Sequence, residues 1–145
     1  MSRLPALICA CCCPLALAAC GTATSTAKFK GTEHAVAQTI ANLQSDITAG
    51  EQKKVCANDL AAAVVTRLGG AKGCEATIKE QIAEIDNTEL EVESVKVSGN
   101  SAVAKVKSDY AGKKTPGASV ALLQEGGKWK IATLTAPPRA PRSAQ

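Results

Sequence analysis

The chain has 145 residues, with 17 Lys and Arg against 13 Asp and Glu and a single His, for a formal net charge of +4. Its cations are dispersed and it has only one Trp, one Tyr and one Phe. The basic, aromatic-interleaved footprint of a nucleic-acid binder is therefore absent, and nucleic acid is excluded as a partner.

Residues 1–19 read as a targeting segment, with a basic start at Arg3, an apolar run and small residues ahead of a candidate cleavage point. Leu4 to Ala19 spans sixteen residues and contains Pro5 and Pro14, whereas a spanning helix wants about 20 apolar residues. An uncleaved membrane helix is the weaker alternative. Cys9, Cys11, Cys12 and Cys13 act as small hydrophobes within the run.

The run ends in Leu17-Ala18-Ala19-Cys20, which resembles the lipobox of bacterial lipoproteins at every position. The resemblance implies a diacylglyceryl group on the Cys20 sulfur and cleavage between Ala19 and Cys20. It also implies residence on the outer face of the bacterial cytoplasmic membrane, or on an outer membrane where the host has one. Small side chains let a peptidase approach the backbone, and cysteine supplies the thiolate for lipid transfer. The alternative is ordinary secretory cleavage, with Cys20 left as a free thiol. Two acyl chains suffice for stable attachment, so the membrane is the expected partner.

Residues 20–32 read as a flexible tether that lifts the domain off the bilayer, with an rms reach on the order of 20 Å. Lys28 and Lys30 flank Phe29 there and read as solvated, with contact to anionic headgroups as the alternative. Without residues 1–19 the chain keeps 126 residues, and 16 Lys and Arg against 13 Asp and Glu leave a charge of +3. That length suits one domain, expected over 33–135. The Pro-rich residues 136–145 are expected to form a disordered tail or a cell-wall spacer.

Cleavage removes four thiols and the lipid consumes Cys20, so Cys56 and Cys74 remain. In an oxidising exterior an even remainder favours a disulfide over two free thiols. Closing a loop of about 19 residues would stabilise by roughly 3 kcal/mol in the chain-entropy account. A structural zinc site wants four Cys or His ligands, and only His34 could join this pair.

Val36, Ile40, Leu43 and Ile47 trace a helical stripe that Gly50 can end. A second helix is expected from an Asn58 or Asp59 N-cap, with Leu60, Val64 and Leu68 on one face and Gly69-Gly70 as its stop. Ile78, Ile82 and Ile85 repeat the spacing in a third helix starting near Gly73. After Asn87 the period falls to two. Leu90 and Val92, then Val95 and Val97, alternate with a one-residue slip near Ser94 that suggests a bulge or a strand buried on both faces. Ala102, Ala104 and Val106 continue one face, and "AGKKTPG" reads as a loop leading to Val120 and Leu122. "EGGK" makes a tight hairpin, after which Trp129, Ile131 and Thr133 share one face and Lys128 and Lys130 the other. The expected class is α+β, with N-terminal helices packed on a curved four-stranded antiparallel sheet.

From about residue 33 to 135 the chain resembles small exported actinobacterial-type lipoproteins with a nuclear-transport-factor-2-like, cystatin-like cone. The resemblance rests on the long first helix, the helical pair bearing Cys56 and Cys74, "VKVSGNSAVAKV" and "LLQEGGKWKI". It implies a sheet wrapped around the first helix, whose interior holds a ligand, a catalytic group or simply a core.

Some relatives of that fold isomerise or dehydrate small molecules with an Asp, His or Tyr, which makes His34, Asp46, Asp109 and Tyr110 the residues to test. His34 and Asp46 lie off the apolar stripe, and Asp109 and Tyr110 end a strand. None of their spacings demands a paired acid and base. No Gly-rich phosphate loop, HExxH, G-x-S-x-G or Cys-His metal spacing occurs, so no catalytic residue, cofactor or metal is assigned. Glu89, Glu91 and Glu93 alternate along one strand face and read as its solvated side, with a weak Ca²⁺ site as the alternative. The leading expectation is a lipid-anchored envelope protein displaying a non-catalytic binding or interaction domain, its partner an envelope protein or a small apolar ligand. The alternative is a small-molecule-handling cone enzyme of isomerase or dehydratase type.

Overall fold

The computed structural model describes residues 24–84, 88–110 and 113–135. Cys20, the signal-like residues and the Pro-rich tail lie outside these. The helical stripe forms α1 (Gly31–Thr48), with Val36, Ile40 and Leu43 buried and Ile47 half-buried. Gly50 ends it at φ 67°, its N–H bonded to Ile47 O.

Strands β1 (Thr88–Ser98), β2 (Ser101–Tyr110), β3 (Lys113–Glu125) and β4 (Lys128–Thr135) form an antiparallel meander in chain order. The β3–β4 turn places Gly126 and Gly127 at φ 56° and 76°, the paired left-handed geometry that tight hairpins require. Each ladder carries a register slip. Such bulges bend strands, and here they curve the sheet around α1. The slip in β1 falls between Val92 and Ser94, so Val92 and Val95 both face inward and are buried.

Two strand expectations change. The "AGKKTPG" segment is largely strand, since β3 begins at Lys113. The ladder slips there between Val106 and Ser108, which face Ala118 and Thr115. Pro116 and Gly117 thus occupy the irregularity, where a missing N–H breaks no ladder bond. Thr133 does not share the face of Trp129 and Ile131: the slip that pairs Leu122 with Ile131 but Ala121 with Thr133 makes Ala132 an extra residue, and Thr133 is exposed.

The second helix also differs. A one-turn α2 (Gln52–Lys54) runs into a π-helical turn, Val55–Asp59, before α3 (Ala62–Arg67) and α4 (Gly70–Glu84). Asn58 and Asp59 lie inside the π-turn and cap nothing. Leu60 must first reach the free edge of β4, where it bridges Ile131 in parallel and Ala61 N–H bonds Ile131 O at 2.9 Å. Helix can resume only beyond that edge, and α4 starts three residues before Gly73. Ile78 and Ile82 are half-buried, and Ile85 lies outside the described residues.

Cys56, in the π-turn, and Cys74, in α4, are buried and form a disulfide with Cα atoms 6.1 Å apart. Within the cone Val36, Ile40, Val55, Val92, Ala104, Val120, Leu122 and Ile131 are essentially free of solvent, and Trp129 closes over them at 7% exposure. Residues 24–30 lie against the domain. The Thr24 hydroxyl donates to Leu90 O at 2.9 Å and touches Gln44 Oε1, which accepts Leu90 N–H at 3.1 Å. Phe29 packs onto the core cluster.

Candidate functional site

Among the described residues, two places bring chemistry-bearing side chains together. The first is the seam between α1, the π-turn and β4. Alpha-helical spacing puts Asp46 one residue before Ile47, half-buried on α1. The π-turn carries Asp59 inward to 3% exposure. Lys130 reaches from β4 to donate its Nζ to Ala57 O at 2.8 Å and to Asn58 O. It thereby ties down carbonyls that a π-turn leaves without ladder partners.

Burial pushes the Asp59 carboxyl from its ordinary 3.8 up to about 7, and the negative Asp46 beside it adds to the rise. Lys130 opposes the shift, and a side-chain hydrogen bond with Asp46 reinforces it. Asp59 Oδ2 is buried and meets no donor among the described residues. A carboxyl desolvated in this way beside a second carboxylate keeps its proton to higher pH than a free one. A carboxyl that titrates near neutrality has the right proton affinity for general acid–base work. At 3% exposure it has no open path to a substrate.

The second place is an open groove of about 430 Å³ on the outer face of the β1–β2 hairpin. Its walls are the cross-strand pairs Ser94–Lys105, Lys96–Val103 and Ser98–Ser101. Val103, 48% exposed, and Leu123, 40% exposed, give this face an apolar centre. The groove falls within the size range of small-ligand sites. Its ionisable groups are Lys96 and Lys105, and no carboxylate lines it.

The residues singled out from the sequence do not converge. His34 is exposed on the first turn of α1, with Nε2 3.4 Å from Thr26 Oγ1. Asp109 is half-buried near the end of β2, and the Tyr110 side chain lies outside the described part of the structure. Among the described side chains of this set only Asp46 belongs to a cluster, and its partner Asp59 is missed because its spacing reads as an ordinary N-cap. Glu89 and Glu91 are exposed, and Glu93 forms an ion pair with Lys107. Among the described residues no three His, Cys, Asp or Glu side chains are placed to hold a metal ion.

No protein-family model matches the chain, and neither does any curated protein. Solved structures do. A Xanthomonas campestris domain, described provisionally as a calcium/calmodulin-dependent protein kinase II association domain, aligns with a TM-score of 0.52 at 15% identity, over 81% of this chain and 96% of that one. An NTF2-like protein of unknown function from Silicibacter pomeroyi aligns with a TM-score of 0.48 at 16% identity, over 69% of this chain and 89% of that one. A de novo designed protein with a curved β-sheet aligns with a TM-score of 0.38 at 16% identity, over 47% of this chain, which spans 64% of the designed one. The likeness to the Xanthomonas domain shows the fold alone: helices packed on a curved antiparallel sheet.

Proposed function

We propose that this cone domain is a non-catalytic binding or interaction module, held at the bacterial envelope by a diacylglyceryl group on Cys20. The observation that carries the binding role is the division between its two polar sites. The proton-active Asp59 carboxyl is sealed into a seam, whereas the accessible groove offers hydroxyls, two lysines and an apolar centre. Isomerase or dehydratase chemistry uses a carboxyl, imidazole or phenol within reach of bound substrate, none of which lines the groove, and lysines flanking an apolar strip suit recognition of an anionic or amphiphilic partner better. The anchor follows from Leu17-Ala18-Ala19-Cys20 alone. Among the described residues no helix is long and apolar enough to cross a membrane.

Labelling cells with an alkyne-bearing fatty acid tests the anchor. Wild type should incorporate label and the Cys20→Ser chain should not; equal labelling of both would remove the lipid from this reading. Native mass spectrometry of purified protein tests the groove. A copurified ligand lost in a Lys96→Glu/Lys105→Glu variant is expected, and one that survives that change sits elsewhere.

The buried Asp59 favours a second reading, an isomerase- or dehydratase-type enzyme that exposes this carboxyl by opening the seam. Metabolite turnover abolished by Asp59→Asn, with the variant still folded, would establish it.

A further inference from the structure

Thr26 Oγ1 lies 3.4 Å from both His34 Nε2 and Gln38 Oε1, in the first half of α1. Thr24 is bonded further along, beside Gln44 and Leu90. In chain direction the segment therefore runs antiparallel to α1, and followed back from Lys30 it leaves the described residues near that helix's C-terminal end. Only Gly21, Thr22 and Ala23 separate Thr24 from Cys20. Four residue steps span at most about 14 Å.

We infer that the C-terminal end of α1 rests against the headgroups of the membrane that anchors Cys20, and that the domain is held there in one orientation instead of floating on a long tether. This rests on the lipid-anchor reading of Cys20. The arithmetic of reach decides the orientation. From Gln44 the helix end at Thr48 is about 6 Å away along the axis, and the start near Thr32 about 18 Å away, at 1.5 Å per residue. A 14 Å leash reaches a bilayer lying beyond the first end and falls short of the second. Passing the helix end uses about 6 Å of the leash and leaves about 8 Å, no more than the depth of the polar zone on each side of the hydrocarbon, about 5–8 Å, so that end reaches the headgroups.

Charge at the two ends makes this a sharp expectation. Lys28 and Lys30 are exposed at the start of α1 and would by themselves draw that end to an anionic surface. At the other end Lys53 is exposed and has no carboxylate partner among the described residues, while Lys54 is paired with Glu51. If charge alone set the orientation, the Lys28 end would lie down. If the leash sets it, the Lys53 end does.

The test uses the full lipidated chain in vesicles of phosphatidylethanolamine and phosphatidylglycerol, with a clickable residue carrying a fluorophore in place of Thr32 or Ala49, and acceptor-labelled lipid. The two sites stand about 25 Å apart along the helix, so transfer from position 49 is expected to exceed that from position 32 by roughly twofold or more. Inserting twelve Gly/Ser residues between Ala23 and Thr24 should abolish the difference. Equal or reversed transfer in protein whose lipid is verified by mass spectrometry overturns the orientation and leaves the anchor standing. A difference that survives the insertion also overturns it, because the leash would not be its cause. Protein without lipid on Cys20 overturns the anchor itself.

Discussion

Asp59 shows how one side chain can act through its protonation state alone. Its carboxyl is held at about 7 in the fold against 3.8 when free, so between these values the native state binds a proton that the unfolded chain has released. Stability contributed at this position is complete below pH 4 and is lost as pH rises through 7, the reverse of an ion-paired carboxylate. At about 1.4 kcal/mol per pH unit the loss amounts to a few kcal/mol. Asp59→Asn keeps the shape and removes the proton. Denaturant melts of the variant and wild type at pH 5 and pH 8 should therefore diverge, with the variant gaining on wild type at pH 8; parallel behaviour would mean that Asp59 ionises freely. Trp129 carries the opposite kind of weight, since it is 7% exposed and closes the apolar interior. Trp129→Ala should cost about 3–5 kcal/mol, read as a lower denaturation midpoint. His34→Ala and Asp109→Asn, at exposed and half-buried positions off the core, should stay within about 0.5 kcal/mol of wild type.

At the scale of elements, what could be read from the sequence follows the strength of each period. The stripe Val36, Ile40, Leu43 and Ile47 needs only a helix with one core-facing side, and α1 supplies it. Alternation located all four strands, and the broken phase near Ser94 located the β1 bulge, because inward side chains on a curved sheet must stay buried through the slip. The π-turn was not legible. No local propensity encodes it; it exists because Leu60 has to cover the free edge of β4, a contact 71 residues away in the chain. Asp59, whose spacing reads as an N-cap, is hidden with it, and so is the seam it forms with Asp46 and Lys130. The corner between α3 and α4 has a similar origin. A Cβ on Gly73 would stand 2.1 Å from Leu68 O, a backbone atom that cannot rotate away. Gly73 therefore permits the close approach that brings Cys74 beside Cys56. Gly73→Ala should lower stability by more than the helix propensity of Ala returns, and should make the Cys56–Cys74 bond easier to reduce; a Gly73→Ala protein as stable as wild type would show that the corner relaxes without cost. Breaking the bond with Cys56→Ser/Cys74→Ser should itself cost roughly 3 kcal/mol.

For the molecule as a whole, the question is whether the cone is a vessel or a core. The fold is compatible with either, because a sheet bent around a helix encloses whatever volume its inward side chains leave. Here those side chains are small, Ala102, Ala104, Val92, Val95, Val106 and Val120, but α1 sends Val36, Ile40 and Leu43 among them, and Leu122, Trp129 and Ile131 add bulk from the sheet. Ile40 and Leu122 are each 1% exposed. In a packed interior such positions cannot shrink without leaving a void, and Ile→Ala or Leu→Ala there should cost about 2–5 kcal/mol, a large share of the roughly 5–15 kcal/mol that holds a domain together. A ligand-filled vessel would respond differently, since its wall would lose little in the absence of ligand and the truncation would mainly alter affinity. Ile40→Ala and Leu122→Ala, measured in ligand-free protein by urea unfolding, should therefore each shift the midpoint down by this full amount with the slope unchanged. Helix and tryptophan signals should lose structure together, because α1 and the sheet share one core. Loss of less than about 1 kcal/mol at both positions would mark the cone as hollow and move the binding site from the lysine-flanked outer groove to its interior.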